Sequence, residues 1–438
     1  MARNMPRLNA LYPEYVPIIM QFEREDGLRR LRWGLDAARL AKAVAAGQRF
    51  ALVVSNSALE GGTVRAARDI EAFTGLGGAQ VLTLSVDENG LMVLNAEAPL
   101  LRAGFAPDEV EELLVLLDAA LPVRVMVHQI LGFSEGFIAA FTAWLQGRES
   151  LFWAHDFYSF CPRVTMIDAI GRFCGGADAD TCARCVEMDG AHENSRLTAL
   201  TPAAHRGVMA GLLGSFTHRL APSANAAGYL SRQFPALPWE VLPHPEPAEG
   251  VAAKARAGSD DEIILLGAIG PHKGSHLLLD IARRARLTHP HLSFRVIGYT
   301  DIDKALEAVG NVTVTGKYKP EELPGLLEEA KGRLGLFLPG WPETYSYTLS
   351  ELVKHGFIPL VPDIGAPADR VRAAKFGVVL PFPATPEGVL QTIEDIAAGK
   401  IKPMAKGATP ARFFSSPAAL ARLRELAGHA PALEGAGA

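Results

Sequence analysis

Residues 263–279 (IILLGAIGPHKGSHLLL) contain a run of branched apolar residues, a loop bounded by glycines and a second apolar run. The first run is typical of a buried strand, and the spacing after Ser275 is typical of a helix that this serine caps. A strand that passes through glycines directly into a helix is half of a βαβ unit. The segment therefore predicts a parallel sheet covered by helices.

The same alternation extends to both sides of this unit. A segment rich in Pro, Gly and Ala, residues 243–258, separates two series of strands and helices. We therefore predict an α/β protein with two doubly wound, Rossmann-like domains that face each other across a ligand-binding cleft. The predicted strands are residues 49–55, 123–128, 150–155 and 217–221 in the first series, and 262–268, 292–297, 311–315, 334–338 and 358–361 in the second.

We divide the chain into an N-terminal helical extension (1–48), a first domain (49–245), a second domain (246–410) and a C-terminal helix with a tail (411–438). In the extension, Leu28, Leu31 and Leu35 recur at helical spacing among arginines. This helix either packs on the first domain or lies on a membrane surface, as basic amphipathic helices do.

Composition narrows the function classes. The chain has 438 residues, too many for one core, and its net charge of −5 argues against general binding of nucleic acid. No apolar stretch reaches the roughly 18–20 residues of a membrane span, and the first residues lack the pattern of a signal peptide. We therefore expect a cytoplasmic protein.

Lys273 lies in the loop formed by residues 270–274 (GPHKG), at the predicted start of a helix. A helix N-terminus presents unpaired N–H groups, and glycines such as Gly270 and Gly274 let a ligand approach the backbone. The loop is suited to a diphosphate. The alternative is an ordinary turn between strand and helix with a solvated lysine.

Two glutamates stand in residues 334–353 (LGLFLPGWPETYSYTLSELV). Glu343 follows a predicted strand, and Glu351, on the next helix, is separated from it by seven residues. This spacing can bring one carboxylate to a sugar and the other to the ribose of a nucleotide. The alternative is a capping box formed by Thr348 and Glu351, which needs no ligand.

Residues 343–351 (ETYSYTLSE) resemble the Glu-x7-Glu motif of the retaining glycosyltransferases of family 4. Residues 365–370, 270–274 and 314–318 are similar to three other loops of that family, and Gly61-Gly62 is similar to its first-domain loop. One difference is that Ile269-Gly270-Pro271 stands where many members have an arginine. The resemblance implies a GT-B fold and donor contacts by Gly61, Gly62, Gly270, Lys273, Gly274, Lys317, Tyr345, Ser346, Tyr347, Thr348 and Glu351.

Two histidines, His128 and His155, follow predicted strands of the first domain. The resemblance assigns the catalytic site to His155 and Glu343, with His128 as the less favoured histidine. It also implies transfer with retention by front-side attack, without a catalytic metal. Binding geometry and stabilisation of the diphosphate charge would then supply most of the catalysis.

Four cysteines, Cys161, Cys174, Cys182 and Cys185, have intervals of twelve, seven and two residues. They lie in an expected insertion at about residues 156–190, which resembles a segment of some bacterial polysaccharide glycosyltransferases. A Cys-x2-Cys pair with two further cysteines is suited to structural zinc. Buried free thiols and a redox pair are the alternatives.

The sequence thus predicts an enzyme that transfers a hexose or deoxyhexose from a nucleotide-diphosphate sugar to a saccharide or lipid-linked saccharide. The resemblance favours a role in surface polysaccharide synthesis, with peripheral contact at the inner face of the membrane. Two alternatives remain: a nucleotide-sugar epimerase of the same fold and a non-catalytic saccharide-binding relative.

Overall fold

Two β-sheets form the centre of the protein, and our computed structural model describes residues 5–55, 61–87 and 89–428. The eight strands of the first sheet within those residues are β1 (Phe50–Val54), β2 (Gln80–Val86), β3 (Met92–Ala96), β4 (Leu101–Phe105), β5 (Arg124–Val127), β6 (Ser150–Trp153), β7 (His218–Ala221) and β8 (Glu240–Val241). The six strands of the second are β9 (Ser259–Ile269), β10 (Ser293–Thr300), β11 (Val312–Val314), β12 (Gly332–Leu336), β13 (Ile358–Pro362) and β14 (Val378–Leu380).

Helices cover both sheets. Those associated with the first half of the chain are α1 (Met5–Leu11), α2 (Tyr15–Glu25), α3 (Arg29–Ala45), α4 (Gly62–Thr74), α5 (Val110–Ala120), α6 (Glu135–Trp144), α7 (Ala179–Asp189), α8 (Pro202–Gly214) and α9 (Ala224–Gln233). The second half contains α10 (Ser275–Thr288), α11 (Asp303–Glu307), α12 (Leu323–Glu329), α13 (Tyr347–Lys354), α14 (Gly365–Ala374), α15 (Pro386–Ala397) and α16 (Pro417–Leu426). No helix in the described part of the chain is long and apolar enough to cross a membrane.

The second sheet has the order β11-β10-β9-β12-β13-β14, and all of its pairings are parallel. From β9, successive strands are added first on one side (β10, β11) and then on the other (β12, β13, β14). A doubly wound sheet has a crevice at the point where the strand order reverses, here between β9 and β12. Branched apolar residues such as Ile264 and Val296 are fully buried because helices cover both faces. The predicted α/β fold class is confirmed.

The first sheet is mixed, with the order β4-β3-β2-β1-β5-β6-β7-β8. Strands β2, β3 and β4 pair antiparallel, whereas the other strands pair parallel. The predicted parallel pairing thus holds for the other strands, and β3 and β4 add an antiparallel edge that the sequence did not predict. The chain returns from β2 to β3 and from β3 to β4 through short connections, which permit only antiparallel neighbours.

Helix α3 and the C-terminal helix α16 both rest on the first half of the chain. Trp33 and Leu40 of α3 are buried against it, and the Trp33 ring stacks on Phe105 with centroids 4.6 Å apart. Leu423 and Leu426 of α16 join an apolar cluster with residues of β1, β5 and β6. The chain therefore crosses between the two halves twice, at residues 243–258 and again before α16.

The sequence predicted a serine N-cap for two helices, α9 and α10. Ser223 caps α9, because its side chain accepts the N–H of Ala226, as its position predicted. Ser275 does not cap α10. Gly274 occupies that position with a φ of +86°, and Ser275 is the first residue of the helix and is buried. A left-handed φ favours glycine over serine, which explains the one-residue difference.

Candidate functional site

A cleft of about 830 Å³ lies between the two sheets and takes its walls from both halves of the chain. Its lining residues follow the carboxyl ends of strands, as Gln129 follows β5 and Pro271 follows β9. This is the position where open α/β sheets bind ligands. Eight of the residues predicted for the site line the cleft: Gly62, His155, Lys273, Glu343, Tyr345, Ser346, Tyr347 and Thr348.

The loop between β9 and α10 brings Lys273 to the cleft. Gly274, with its positive φ, has no room for a side chain, since a Cβ atom there would lie 2.3 Å from the Leu338 carbonyl oxygen. Lys273 is half-buried, and no described residue forms a salt bridge with it. An unpaired ammonium group beside the N-terminus of α10 is suited to a bound anion. Gly270 and Gly274 shape this loop without lining the cleft.

Glu343 follows β12 in a loop whose backbone is fixed by α14. The Glu343 N–H donates to the Trp341 carbonyl at 2.9 Å, and the Glu343 carbonyl accepts the N–H of Ala366 at 2.8 Å. Gly365 comes so close that a Cβ atom there would lie 2.7 Å from the Glu343 nitrogen, and its φ is +70°. The Glu343 carboxylate is thus held at the cleft while only 9% of the residue is exposed.

The turn from Glu343 into α13 contains a strained residue. Ser346 has φ +81° and ψ +91°, which is unfavourable for any residue with a side chain. Arg370 stabilises the turn, because its guanidinium donates to the carbonyls of Tyr345 and Ser346 at 3.3 and 3.1 Å. The same guanidinium lies 4.3 Å from the centre of the Tyr345 ring. Strain that is held in place by neighbours is common at binding sites.

The capping-box alternative for Thr348 and Glu351 is not what the structure shows. Ser346 occupies the N-cap position of α13, so Thr348 is the second residue inside the helix. The Thr348 hydroxyl is 3.3 Å from the Ser346 hydroxyl rather than capping a backbone N–H. Glu351 therefore has another role.

Glu351 points to the first half of the chain, where Arg65 of α4 donates a hydrogen bond to its Oε1 at 2.7 Å. The Arg65 guanidinium also lies 4.2 Å from the centre of the Tyr347 ring. Sequence analysis did not identify Arg65. Glu351 does not line the cleft in this arrangement, and it stands just behind the residues of α13 that do.

The two histidines that follow strands of the first sheet are hydrogen-bonded to each other. His128 Nδ1 and His155 Nε2 are 2.8 Å apart, and Nδ1 of His155 has no hydrogen-bond partner among the described residues. Burial lowers the pKa of His128 to about 4. Burial, together with the neighbouring His244 and His128, holds the pKa of His155 well below 6.5, so its imidazole is neutral at pH 7.

A contact across the cleft joins His155 to the loop of Glu343. The Thr344 hydroxyl donates to the His155 carbonyl oxygen at 2.7 Å. Thr344 directly follows Glu343 in the sequence. This hydrogen bond therefore links the backbone segments that carry His155 and Glu343, the two residues predicted to be catalytic.

The segment between the two halves contributes two buried residues that sequence analysis missed, His244 and Glu246. The Glu246 carboxylate accepts hydrogen bonds from the hydroxyls of Tyr345, at 2.6 Å, and of Ser350. The His244 ring lies 4.2 Å from that of Tyr345 and 5.1 Å from that of His155. The sequence shows His244 and Glu246 only as two polar residues between prolines. Their function could not be predicted from this, because the residues that they contact lie far away in the sequence.

The other predicted donor contacts lie outside this cleft. Gly61 is exposed just before α4, and Lys317 is exposed with its ammonium 5.3 Å from the centre of the Tyr299 ring. Glu60, which belongs to the same glycine loop in the sequence, is outside the described residues.

The four cysteines surround a separate space of about 50 Å³. All of them are free thiols, with Cys161 buried and the other three half-buried. Among the residues that the structure describes, no three His, Cys, Asp or Glu side chains are arranged so as to hold a metal ion. The thiols therefore lie near one another without forming an assembled metal site.

Comparisons with known proteins establish the fold. No protein-family model and no curated protein matches the chain. HepE from Anabaena in complex with UDP-glucose has a TM-score of 0.52 and 12% identity, over 86% of this chain and 98% of that one. Sucrose-phosphate synthase from Thermosynechococcus elongatus has a TM-score of 0.53 and 14% identity, over 87% and 94%. A glycosyltransferase from Rickettsia africae has a TM-score of 0.53 and 11% identity, over 87% and 93%. These similarities cover both halves of the chain, which therefore has the GT-B fold.

Proposed function

We propose that this protein is a glycosyltransferase that uses a nucleotide-diphosphate sugar as its donor. The observation that carries the proposal is the meeting of Lys273, Glu343 and His155 at one cleft between two Rossmann-like domains. The Lys273 cation is suited to a diphosphate. The Glu343 carboxylate and the neutral His155 imidazole are suited to the hydroxyl groups of a sugar. The similarity to HepE, which was solved with UDP-glucose, supports a donor of this class.

The orientation of the donor follows from the positions of these groups. The diphosphate would lie beside the N-terminus of α10, where Lys273 lines the cleft. The sugar would extend toward Glu343, whose carboxylate can accept two hydroxyl hydrogens, and toward the unpartnered Nδ1 of His155. The nucleoside would extend along α13 toward Glu351.

We propose a retaining transfer. The acceptor hydroxyl attacks the anomeric carbon from the face that the diphosphate leaves, and its proton passes to the departing phosphate oxygen. Lys273 and the dipole of α10 stabilise the charge that develops on that phosphate. His155 and Glu343 hold the sugar in position, and the resemblance to family 4 supports a hexose or a deoxyhexose.

The acceptor that we propose is a saccharide, free or lipid-linked, of the kind used for surface polysaccharides at the inner face of the membrane. A second cleft of about 900 Å³ supports this proposal, because it lies under α3 and is lined by Trp33 and several charged residues. Its basic residues are Arg29, Arg32, Arg68 and Arg102, and its acidic residues are Asp26, Asp36, Glu71 and Asp87. The arginines of this cleft are suited to an acceptor that carries phosphate.

The N-terminal helices support a contact with lipid. Leu28, Leu31 and Leu35 lie three and four residues apart, are 49–70% exposed, and contrast with the buried Trp33 and Leu40 of the same segment. Residues 27–46 contain five basic residues and one acidic residue, which favours an anionic surface. α1, α2 and the turn between them add further exposed apolar side chains, namely Leu11, Tyr12, Tyr15, Ile18, Ile19 and Met20.

The activity is tested by incubating the protein with a panel of nucleotide sugars, with and without oligosaccharide and lipid-linked acceptors. We expect nucleoside diphosphate release that depends on an acceptor, and a product whose anomeric configuration matches that of the donor by NMR. Conversion of the donor without an acceptor would instead establish an epimerase. Donor binding without either reaction would establish a non-catalytic relative.

The membrane contact is tested by vesicle flotation with anionic liposomes. The double variant Leu31→Glu, Leu35→Glu should bind less than the wild type. Leu287→Glu is the control, because Leu287 is 84% exposed on α10 in the other half of the chain. Equal flotation of all three proteins would contradict the proposed contact.

A further inference from the structure

The four cysteines come from separate pieces of the chain that converge on one small space. Cys161 follows the buried run Phe157–Phe160, Cys174 lies beside the isolated bridge between Ile167 and Phe173, and the last two are on α7. Cys182 and Cys185 are three residues apart on that helix, so they occupy the same face. All four line the space of about 50 Å³.

The segment that carries these cysteines has little apolar core. Between residues 163 and 190, all of which the structure describes, Met166 is the one buried side chain. α7 has no buried residue along its eleven positions. A segment with so little apolar burial needs another source of stability, such as a metal or a covalent cross-link.

A charged hydrogen-bond donor contacts one of the sulfur atoms. Nη2 of Arg206, on α8, donates to Cys182 Sγ at 2.9 Å. Donors of this kind stabilise thiolates and are typical of the surroundings of metal–thiolate sites.

We propose that Cys161, Cys174, Cys182 and Cys185 bind one structural zinc ion. All four cysteines line one space of about 50 Å³, and in structural zinc sites the metal lies about 2.3 Å from each sulfur. The four-thiolate set is a typical ligand set of structural zinc, and each cysteine loses its proton on binding. In the present arrangement the four thiols, all of them among the described residues, do not form a complete site, so metal binding requires them to move.

The metal would also fix one wall of the candidate active site. Arg163, Ile167 and Asp168 line both the space between the cysteines and the large cleft. The Asp168 carboxylate accepts the backbone N–H groups of Ile170 and Arg172, which holds this turn together. The effect on activity rests on the proposed function, whereas zinc binding does not.

Elemental analysis of the purified full-length protein tests the proposal. We expect about one zinc per chain, and four sulfur neighbours at about 2.3 Å by X-ray absorption spectroscopy. Replacement of zinc by cobalt(II) should give the intense visible absorption of a tetrahedral thiolate site. Cys182→Ser and Cys185→Ser should each lose the metal, whereas Met188→Ser, an exposed position on the same helix, should retain it.

A thiol titration provides a measurement that does not depend on variants. The four thiols of the wild-type protein should react slowly until a chelator removes the zinc. Limited proteolysis should then cut within residues 162–190 while the rest of the chain stays protected. Folded protein that contains no zinc, takes up none when it is added, and has four rapidly reactive thiols would overturn the proposal, and so would a disulfide between Cys182 and Cys185. Neither result would affect a positive test for sugar transfer.

Discussion

Arg65 and Glu351 are separated by 286 positions in the sequence, yet the Arg65 guanidinium donates to Glu351 Oε1 at 2.7 Å. The contact joins α4, of the first domain, to α13, of the second. It occupies one carboxylate oxygen, and the structure shows no partner for Oε2 among the described residues. Under the proposed function, Arg65 would orient Glu351 and leave Oε2 for the ribose of the donor.

Arg65→Ala should weaken donor binding because Glu351 loses the group that orients it. We expect a dissociation constant about threefold to tenfold higher by calorimetry, on the scale of a hydrogen bond between partly exposed charges. Arg68→Ala is the matched control, since Arg68 is exposed on the same helix and lines the other large cleft. Equal affinities for the wild type and Arg65→Ala would contradict the assigned orienting role.

Glu343→Gln should lower turnover about 100-fold or more, on the scale of the loss of one preorganised contact to the transition state. The backbone hydrogen bonds of Glu343 do not involve the carboxylate, so the variant should fold normally. Turnover is measured at saturating donor, and the melting temperature is the control for folding. A turnover near that of the wild type would show that this carboxylate does not act in the transfer.

Buried histidines should make the protein less stable in mild acid. Burial lowers the pKa of His128 and, with a contribution from Arg206, that of His205, in both cases to about 4. Between pH 6.5 and 4 the unfolded chain therefore binds more protons, and the free energy of unfolding falls as the pH falls through this range. Each histidine lowers the free energy of unfolding by at most about 1.4 kcal/mol for each pH unit in this range.

His205→Leu tests this pH dependence away from the cleft. His205 is in α8 and packs against Tyr158, and within the described part of the chain neither of its ring nitrogens has a hydrogen-bond partner. The free energy of unfolding of the variant, measured with denaturant between pH 4 and 7, should vary less steeply with pH than that of the wild type. Parallel pH profiles for the two proteins would rule out this contribution.

Glu246→Ala should destabilise the protein by about 3 kcal/mol, because it removes the acceptor of two buried hydroxyls and leaves Arg370 without its carboxylate partner. Glu249→Ala is the control in the same connecting segment, where Glu249 is exposed. Denaturant unfolding of both variants gives the comparison. A loss in Glu246→Ala no greater than in Glu249→Ala would show that the Glu246 network contributes little to stability.

Local sequence patterns predicted most of the parallel strands. Runs such as residues 263–269 and 358–361 are apolar throughout because both faces of the second sheet are covered, and such runs are recognisable without a structure. Five strands were missed, namely β2, β3, β4, β8 and β14. Their partly buried, alternating residues, as in Met92–Ala96, give a weaker signal than a continuous apolar run.

The candidate site was predictable where it depends on short motifs and unpredictable where it depends on distant contacts. Lys273 and Glu343 stand in loops whose glycines and flanking strands are visible in the sequence. Glu246, in contrast, accepts hydrogen bonds from Tyr345 and Ser350, which lie about a hundred positions away in the sequence. No local sequence pattern predicts these contacts. The arrangement of the four thiols likewise depends on how three separate pieces converge.

The central claim is that the cleft binds a nucleotide-diphosphate sugar through the loop of Lys273. Its most direct test is calorimetric titration of UDP, GDP, ADP, CDP and TDP into the wild type, Lys273→Ala and Lys304→Ala, the last being an exposed lysine on α11. We predict that at least one diphosphate binds the wild type and Lys304→Ala alike. Its affinity for Lys273→Ala should be about tenfold lower or weaker still, as expected for a charge-assisted contact. The absence of binding by all five, or equal binding to Lys273→Ala, would contradict the claim.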